Sequence, residues 1–438
     1  MSKALMNWTR VSWDAVRTSL WLIPGLMFVA GALLAMAMLQ LEPGWSVRHF
    51  GHGWWTAVGS GDDARNLLST LLGAIITMAS MAFSVTVVAL SLAANSYGPR
   101  LIRIFRANLR NQVVLGTFIL AIVYLLLVLR SVHGDWSQDE VPHAAVTVGT
   151  LLALASVLAL LAFIQGVATS MVADEVVLRV RKEFDSVIGA LPPIDAGSGN
   201  QLAGLAGGFE ASATRISLPR EGYVQSVEFG GLVDWARKHG AVVRLDFRPG
   251  DFVVEGDAKV LVHRCPGDPH QVRREIEKFI VSGQSRTPTQ DIEFAIRHLV
   301  EVAVRALSPG INDPFTAIAV IDRLRGGLAR LAGRQMPPEE MRDAAGVTRI
   351  VRRVTTYAGA LDAAFNQIRQ GGSAKPDILI HMLEAIGGIA EHSRTDEQNA
   401  ALSRHAHLIH AAGMRDLTEP ADQEDLERAF KAAMRTLR

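Results

Sequence analysis

The 438-residue chain lacks most of what a catalytic or extracellular framework needs. It holds one cysteine, Cys265, which excludes an intrachain disulfide and a cysteine-rich metal site. Its 44 Lys and Arg balance 43 Asp and Glu, and a net charge of +1 gives no global attraction for nucleic acid. No G-x-S-x-G elbow, H-E-x-x-H helix, P-loop or dinucleotide fingerprint occurs. No catalytic residue, metal or cofactor is therefore expected. The most informative lack is local: Asp, Glu, Lys and Arg are missing from 18–41, 66–96, 111–129 and 141–173.

Each of these stretches is close to or above the roughly 20 residues that cross ~30 Å of hydrocarbon at ~1.5 Å per residue. One such run could be a buried helix of a water-soluble protein. Four before residue 174 are read as membrane spans, at about 18–41, 67–94, 112–130 and 144–172. A mean hydropathy of +0.21 beside 20% charged residues fits two regions with different solvents. The expected fold is an α-helical transmembrane domain with four spans (1–173) followed by a cytoplasmic α+β region. That region divides into a helical extension and linker (174–212), a small β-rich module (213–265) and a helical domain (266–438).

Charge in the connections sets the orientation. Lys3, Arg10 and Arg17 precede the first span, and Arg100, Arg103, Arg106 and Arg110 occupy the second connection without an acid. The first and third connections are neutral or acidic, with Asp62, Asp63, Asp135, Asp139 and Glu140. The positive-inside rule then places both termini in the cytoplasm. Trp45, Trp54, Trp55 and Trp136 fall in the outer loops, as an interfacial aromatic belt would. The four arginines of the inner connection are expected to meet anionic lipid headgroups.

The second span carries Thr70, Thr77, Ser84 and Ser91, each seven residues from the next, beside Gly73, Ser80 and Val87. This period keeps small polar side chains on one helix face. The stripe reads either as a helix-packing seam or as the wall of a water-filled path around an oligomer axis. No charge lies within any span, so a carboxylate proton relay is not expected.

Beyond residue 212, Gly222–Val227, Ala241–Phe247, Phe252–Val254 and Lys259–His263 read as strands, and 231–239 as a short helix. A helix is expected over about 289–307. The turn Ser308-Pro309-Gly310-Ile311-Asn312-Asp313-Pro314 follows, with Asn312 or Asp313 capping a helix that runs to about Leu324. This elbow is structural or ligand-binding, with Asp291, Glu301, Asn312, Asp313 and Asp322 as candidates to gather a cation there. Further helices are expected at about 339–370, with Arg349, Arg352 and Arg353 outward, and at 377–394, 396–412 and 420–436. His405, His407 and His410 lack an acid or cysteine that would complete a ligand set.

Taken with the spans, four motifs carry a resemblance: Ser96-Tyr97-Gly98-Pro99-Arg100, Gly222-Tyr223-Val224-Gln225, Arg248-Pro249-Gly250-Asp251-Phe252-Val253 and Ala306–Pro314. The chain resembles the DUF2254 family of bacterial predicted membrane proteins. The resemblance implies an N-terminal membrane region and a soluble C-terminal region, and it carries no catalytic assignment. The expected function is a homo-oligomeric channel of the bacterial inner membrane, with a cytoplasmic domain that regulates or vestibules it. The alternative is a membrane-tethered scaffold, or a protein that binds a ligand or an unidentified cytoplasmic partner without transport.

Overall fold

The computed structural model describes residues 21–40, 59–97, 109–170, 173–194 and 209–437. They fall into two compact units, an N-terminal one ending at Glu175 and a C-terminal one that begins at Val176.

The N-terminal unit holds four helices long and apolar enough to cross a membrane: α1 (Leu22–Leu39), α2 (Gly61–Tyr97), α3 (Leu109–Ser131) and α4 (His143–Ser170). α3 is the central one and packs against the other three. Its Phe118, Tyr124, Leu125 and Val128 are buried. Small residues let the helices approach. A methyl group on Gly31 of α1 would sit 2.7 Å from the Leu120 carbonyl oxygen of α3, and one on Gly149 of α4 would sit 2.8 Å from Leu125. The Tyr124 hydroxyl donates to the Ala145 carbonyl at 2.8 Å and ties α3 to α4. Leu26, Phe28, Leu33, Leu151, Leu158 and Leu161 point outward, the pattern of a surface solvated by acyl chains.

The helix α5 (Ala173–Gly189) leads into the C-terminal unit. Val177, Val180, Phe184 and Ile188 recur at helical spacing and are buried. Eight strands follow: β1 (Ala213–Ile216), β2 (Gly222–Val227), β3 (Val242–Leu245), β4 (Phe252–Val253), β5 (Val260–His263), β6 (Ile280–Gly283), β7 (Glu340–Arg342) and β8 (Thr348–Arg352). One sheet has the order β1-β5-β3-β8-β7, the other β4-β2-β6. All pairings are antiparallel except β3 with β8. Two short helices, α6 (Phe229–Lys238) and α7 (Pro269–Glu277), help close the β core, where Val224, Leu232, Val243, Val260 and Ile350 are buried. Six longer helices complete the unit: α8 (Ile292–Ala306), α9 (Pro314–Ala332), α10 (Tyr357–Gly371), α11 (Pro376–Ala390), α12 (Asp396–Asp416) and α13 (Pro420–Thr436). The β-rich-then-helical order is as expected.

Two departures matter for function. The helix expected over 339–370 begins only at Tyr357, after the Thr356 cap. Thr348–Arg352 is instead a strand that pairs in parallel with Val243–Leu245. Three strands, β6, β7 and β8, thus come from beyond residue 265. In a strand, side chains alternate between faces. Ile350 enters the core, and Arg352, two residues on, shares that side of the strand and is half-buried, away from the outward position a helix would have given it. Its guanidinium lies 3.9 Å over the Phe229 ring.

Candidate functional site

In α2, Ala64, Leu68, Ile75 and Ala82 are all fully buried against the unit's other helices. At about 100° per residue, Thr70, Thr77, Ser84 and Ser91 project roughly opposite to that seam. All four are exposed, as are Asn66, Gly73 and Ser80. The stripe is therefore not part of the packing within this chain. Its hydroxyls bond back to their own helix: Thr70 donates to the Asn66 carbonyl at 2.7 Å, Thr77 to Gly73 at 2.9 Å and Ser80 to Ile76 at 2.9 Å. Back-bonding removes most of the cost of placing a hydroxyl in lipid. It leaves the oxygen lone pairs and the bare backbone at Gly73 facing outward.

Arg100, Arg103 and Arg106 lie outside the described residues, as do Trp45, Trp54 and Trp55. Arg110, in the first turn of α3, lays its guanidinium where a methyl group on Gly166 of α4 would stand, 2.7 Å from Nη2. Trp136 packs against the N-terminal core, and its carbonyl accepts from Gly61 N at 2.9 Å.

The elbow after α8 is a capped surface turn. Asn312 takes a left-handed φ of 50°, Asn312 N donates to the Ser308 carbonyl at 2.9 Å, and Asp313 N to Ala306 at 2.7 Å. Ser308 Oγ donates to the Arg305 carbonyl at 2.6 Å. Asp313, not Asn312, caps α9 by accepting from Thr316 N at 3.1 Å, and Pro314 opens that helix. Asn312 instead accepts from Lys375. Pro309, Gly310 and Ile311 are exposed. The acids do not gather here. Asp291 caps the far end of α8, 15 residues or about 22 Å away. Asp322 pairs with His381 at 2.8 Å. The three C-terminal histidines part likewise: His405 to Asp362 at 3.1 Å, His410 to Glu427 at 2.5 Å, and His407 Nδ1 at 2.8 Å from the Ser403 carbonyl. Among the described residues no group of His, Cys, Asp and Glu could hold a metal.

The structure brings together a different set. The turn Arg248-Pro249-Gly250-Asp251 closes by hydrogen bonds from Gly250 N to the Val224 carbonyl at 2.7 Å and from Val224 N to that of Asp251 at 2.9 Å. Gly250 has φ +97°, and a methyl group there would overlap the Asp291 carboxylate. Asp291 is 3% exposed. It accepts from Arg286 at 2.6 Å and caps α8 through Phe294 N at 3.0 Å. Burial pushes its carboxyl above the ordinary value, against the pull of Arg286. Beside it Arg248 forks onto buried Glu293 at 2.6 and 2.9 Å and donates to Thr355 Oγ1 at 2.9 Å.

This network backs a cleft of about 230 Å³. Its polar lining includes Arg248, Thr289, Arg352, Arg353 and Thr355; Val187, Leu191 and Ile292 supply apolar wall, and no carboxylate lines it. Arg248 is neutralised by Glu293, whereas Arg352 has no acidic partner among the described residues. Arg352 Nε donates to the Pro338 carbonyl at 3.1 Å, and the ring of Phe229 supports its plane. Burial pulls its pKa down to about 10, so the guanidinium keeps its charge at neutral pH. Arg353, 65% exposed, has only Asp251 at 3.9 Å. The sequence held one sign of this place, the turn at 248–251, but it did not join that turn to Arg352.

The four spans and the β-rich-then-helical C-terminal unit define a multi-pass membrane protein with a large non-spanning portion. Residues 17–387 match the family described as "Predicted membrane protein (DUF2254)", and the chain belongs to that family. Similar proteins include "Uncharacterized protein MT1328" and "Uncharacterized protein Rv1290c" of Mycobacterium tuberculosis and "Uncharacterized protein Mb1321c" of Mycobacterium bovis. Each is 28% identical over 428 residues, which cover 96% of this chain and 81% of the relative. No solved structure matches the chain.

Proposed function

We propose that the protein is a homo-oligomeric channel of the bacterial inner membrane, in which α2 helices from several copies surround a conduction path. The observation that supports this reading is the polar face of α2, turned opposite the helix seam of its own chain. Exposed positions elsewhere on the unit include many large apolar side chains, as lipid requires. A face of Asn66, Thr70, Gly73, Thr77, Ser80, Ser84 and Ser91, interrupted by exposed Val87 and Val88, is suited to a second copy and to water. A path lined by hydroxyls and backbone needs no buried charge. In this reading both termini are cytoplasmic, Arg100, Arg103, Arg106 and Arg110 meet anionic headgroups, and the C-terminal unit regulates the pore.

Reconstitution tests it. Purified protein in liposomes is expected to conduct, and a Thr77→Leu/Ser84→Leu variant to lose most of that conductance while keeping its oligomeric size. Absence of conductance across voltage, tension and ion type overturns the reading. The second reading, a tethered ligand-binding protein without transport, is favoured by the arginine-lined cleft and would then stand alone.

A further inference from the structure

We propose that the cleft between the Arg248 turn, the Pro337–Pro338 segment and β8 binds the phosphate monoester group of a small organic ligand. The inference rests on the C-terminal unit alone, so it stands or falls independently of conductance.

The argument begins with charge. Arg352 and Arg353 are neighbours in sequence and both line the cleft. Arg352 has no carboxylate partner among the described residues, and Arg353 has a long ion pair with Asp251 at 3.9 Å. Arg248 spends its fork on Glu293, and Arg286 spends its own on Asp291. The cleft therefore offers two cationic groups and no lining acid. A phosphate monoester, at about −1.5 to −2 near neutral pH, matches that charge more closely than a monocarboxylate.

Geometry adds to charge. The Arg352 guanidinium is held by the Phe229 ring and by the Pro338 carbonyl at Nε, which leaves its two terminal nitrogens for a ligand. A planar fork suits bidentate contact with an oxyanion. The Thr355 oxygen accepts from Arg248, so its own hydrogen remains to donate. The N-terminus of α8 is already capped by Asp291, and the donors for a ligand are therefore side chains. Val187, Leu191 and Ile292 provide apolar surface for the rest of the molecule. About 230 Å³ is below the ~300–1,000 Å³ typical of drug-sized sites, which limits the ligand to a small body.

The test uses full-length protein in phosphatidylcholine nanodiscs, with phenyl phosphate as probe and titration calorimetry as readout. Saturable one-to-one binding is expected. Benzoate and inorganic phosphate should bind at least about tenfold more weakly, since one lacks the second charge and the other the apolar body. Arg353→Ala lies on the surface and leaves the core intact; it should weaken binding severalfold. Arg352→Gln should weaken it by more than about tenfold. Its unliganded unfolding midpoint should match that of the parent, which separates lost binding from lost folding. Repeating the titration in discs that contain phosphatidic acid identifies the source of the group. Competition assigns a lipid headgroup, and unchanged affinity assigns a soluble phosphate. No saturable binding up to about 10 mM probe overturns the proposal. So does binding that both variants leave unchanged, or benzoate binding as tightly as the probe.

Discussion

At the scale of single residues, the C-terminal unit distributes buried polar groups with partners already chosen. Glu293 and Arg248 satisfy each other by two hydrogen bonds, so neither charge is left in a poor solvent. Gly250 is the conformational condition for that arrangement, because only a residue without Cβ fits both φ +97° and the approach of Asp291. His405 is different in kind. It is fully buried, and burial first, then the neighbouring charge of Arg404, pull it from 6.5 down to about 4, although Asp362 acts in the other direction. In the folded protein it is neutral at physiological pH. The unfolded chain binds a proton at about 6.5 and the folded one only near 4, so between those values the unfolded state holds more protons. Stability is then expected to be whole above pH 6.5 and to fall as the pH drops towards 4, by at most roughly 3 kcal/mol. Unfolding midpoints across that range check it. His405→Gln should flatten the slope, and an unchanged slope would assign the acid sensitivity to other groups.

At the scale of elements, two adjacent glycines of α9 offer a sharper test than either alone. Nothing lies within 4 Å of a methyl group built on Gly326, whereas one on Gly327 would overlap the ring of Phe184 in α5. Gly326→Ala should stabilise α9 by about 0.5–1 kcal/mol through helix propensity alone. Gly327→Ala should cost about 1–3 kcal/mol, because α5 must shift to accommodate it. Opposite shifts in thermal unfolding, followed by tryptophan fluorescence, are the expected result; equal shifts would mean that α5 is not seated on α9 in solution. The same contrast explains which elements were legible in the sequence. The spans were legible because a charge inside hydrocarbon is costly wherever it falls, and its absence over 20 residues needs no tertiary information. The cap at Asp313 is local chemistry, whereas the sequence offers Asp291 as an elbow acid and only the structure makes it a cap. Thr348–Arg352 was not legible as a strand. Ile350, Val351 and Val354 can share a helix face, and the same β-branched residues suit a strand. Only the free edge of β3, more than 100 residues earlier, decides between them. That decision turns Arg352 inward, so the cleft was hidden with it. Its lining runs from Val187 to Thr355, and no local pattern joins those positions.

At the scale of the whole molecule, the positive connections argue for an orientation that the single cysteine can report. Cys265 lies between β5 and α7 in the C-terminal unit, partly exposed. If the arginines of the second connection are drawn to the inner face, the chain crosses an even number of times and that unit is cytoplasmic. A membrane-impermeant maleimide should then leave Cys265 unlabelled in intact spheroplasts and label it after lysis. Labelling before lysis would reverse the topology. It would also change the argument for the cleft, since the side on which Arg352 and Arg353 open determines which pool of phosphate esters reaches them. A cytoplasmic placement puts the fork among phosphorylated metabolites and places Val187 and Leu191, which line the cleft, at the end of the helix that follows the fourth span in sequence. In the proposed channel, a ligand that favours one seating of α5 on α9 would shift conduction only by its difference in affinity between the two seatings. Conductance measured with and without phenyl phosphate, in the parent and in Gly327→Ala, would join the two proposals. A ligand effect present in the first and reduced in the second would identify α5 as the link.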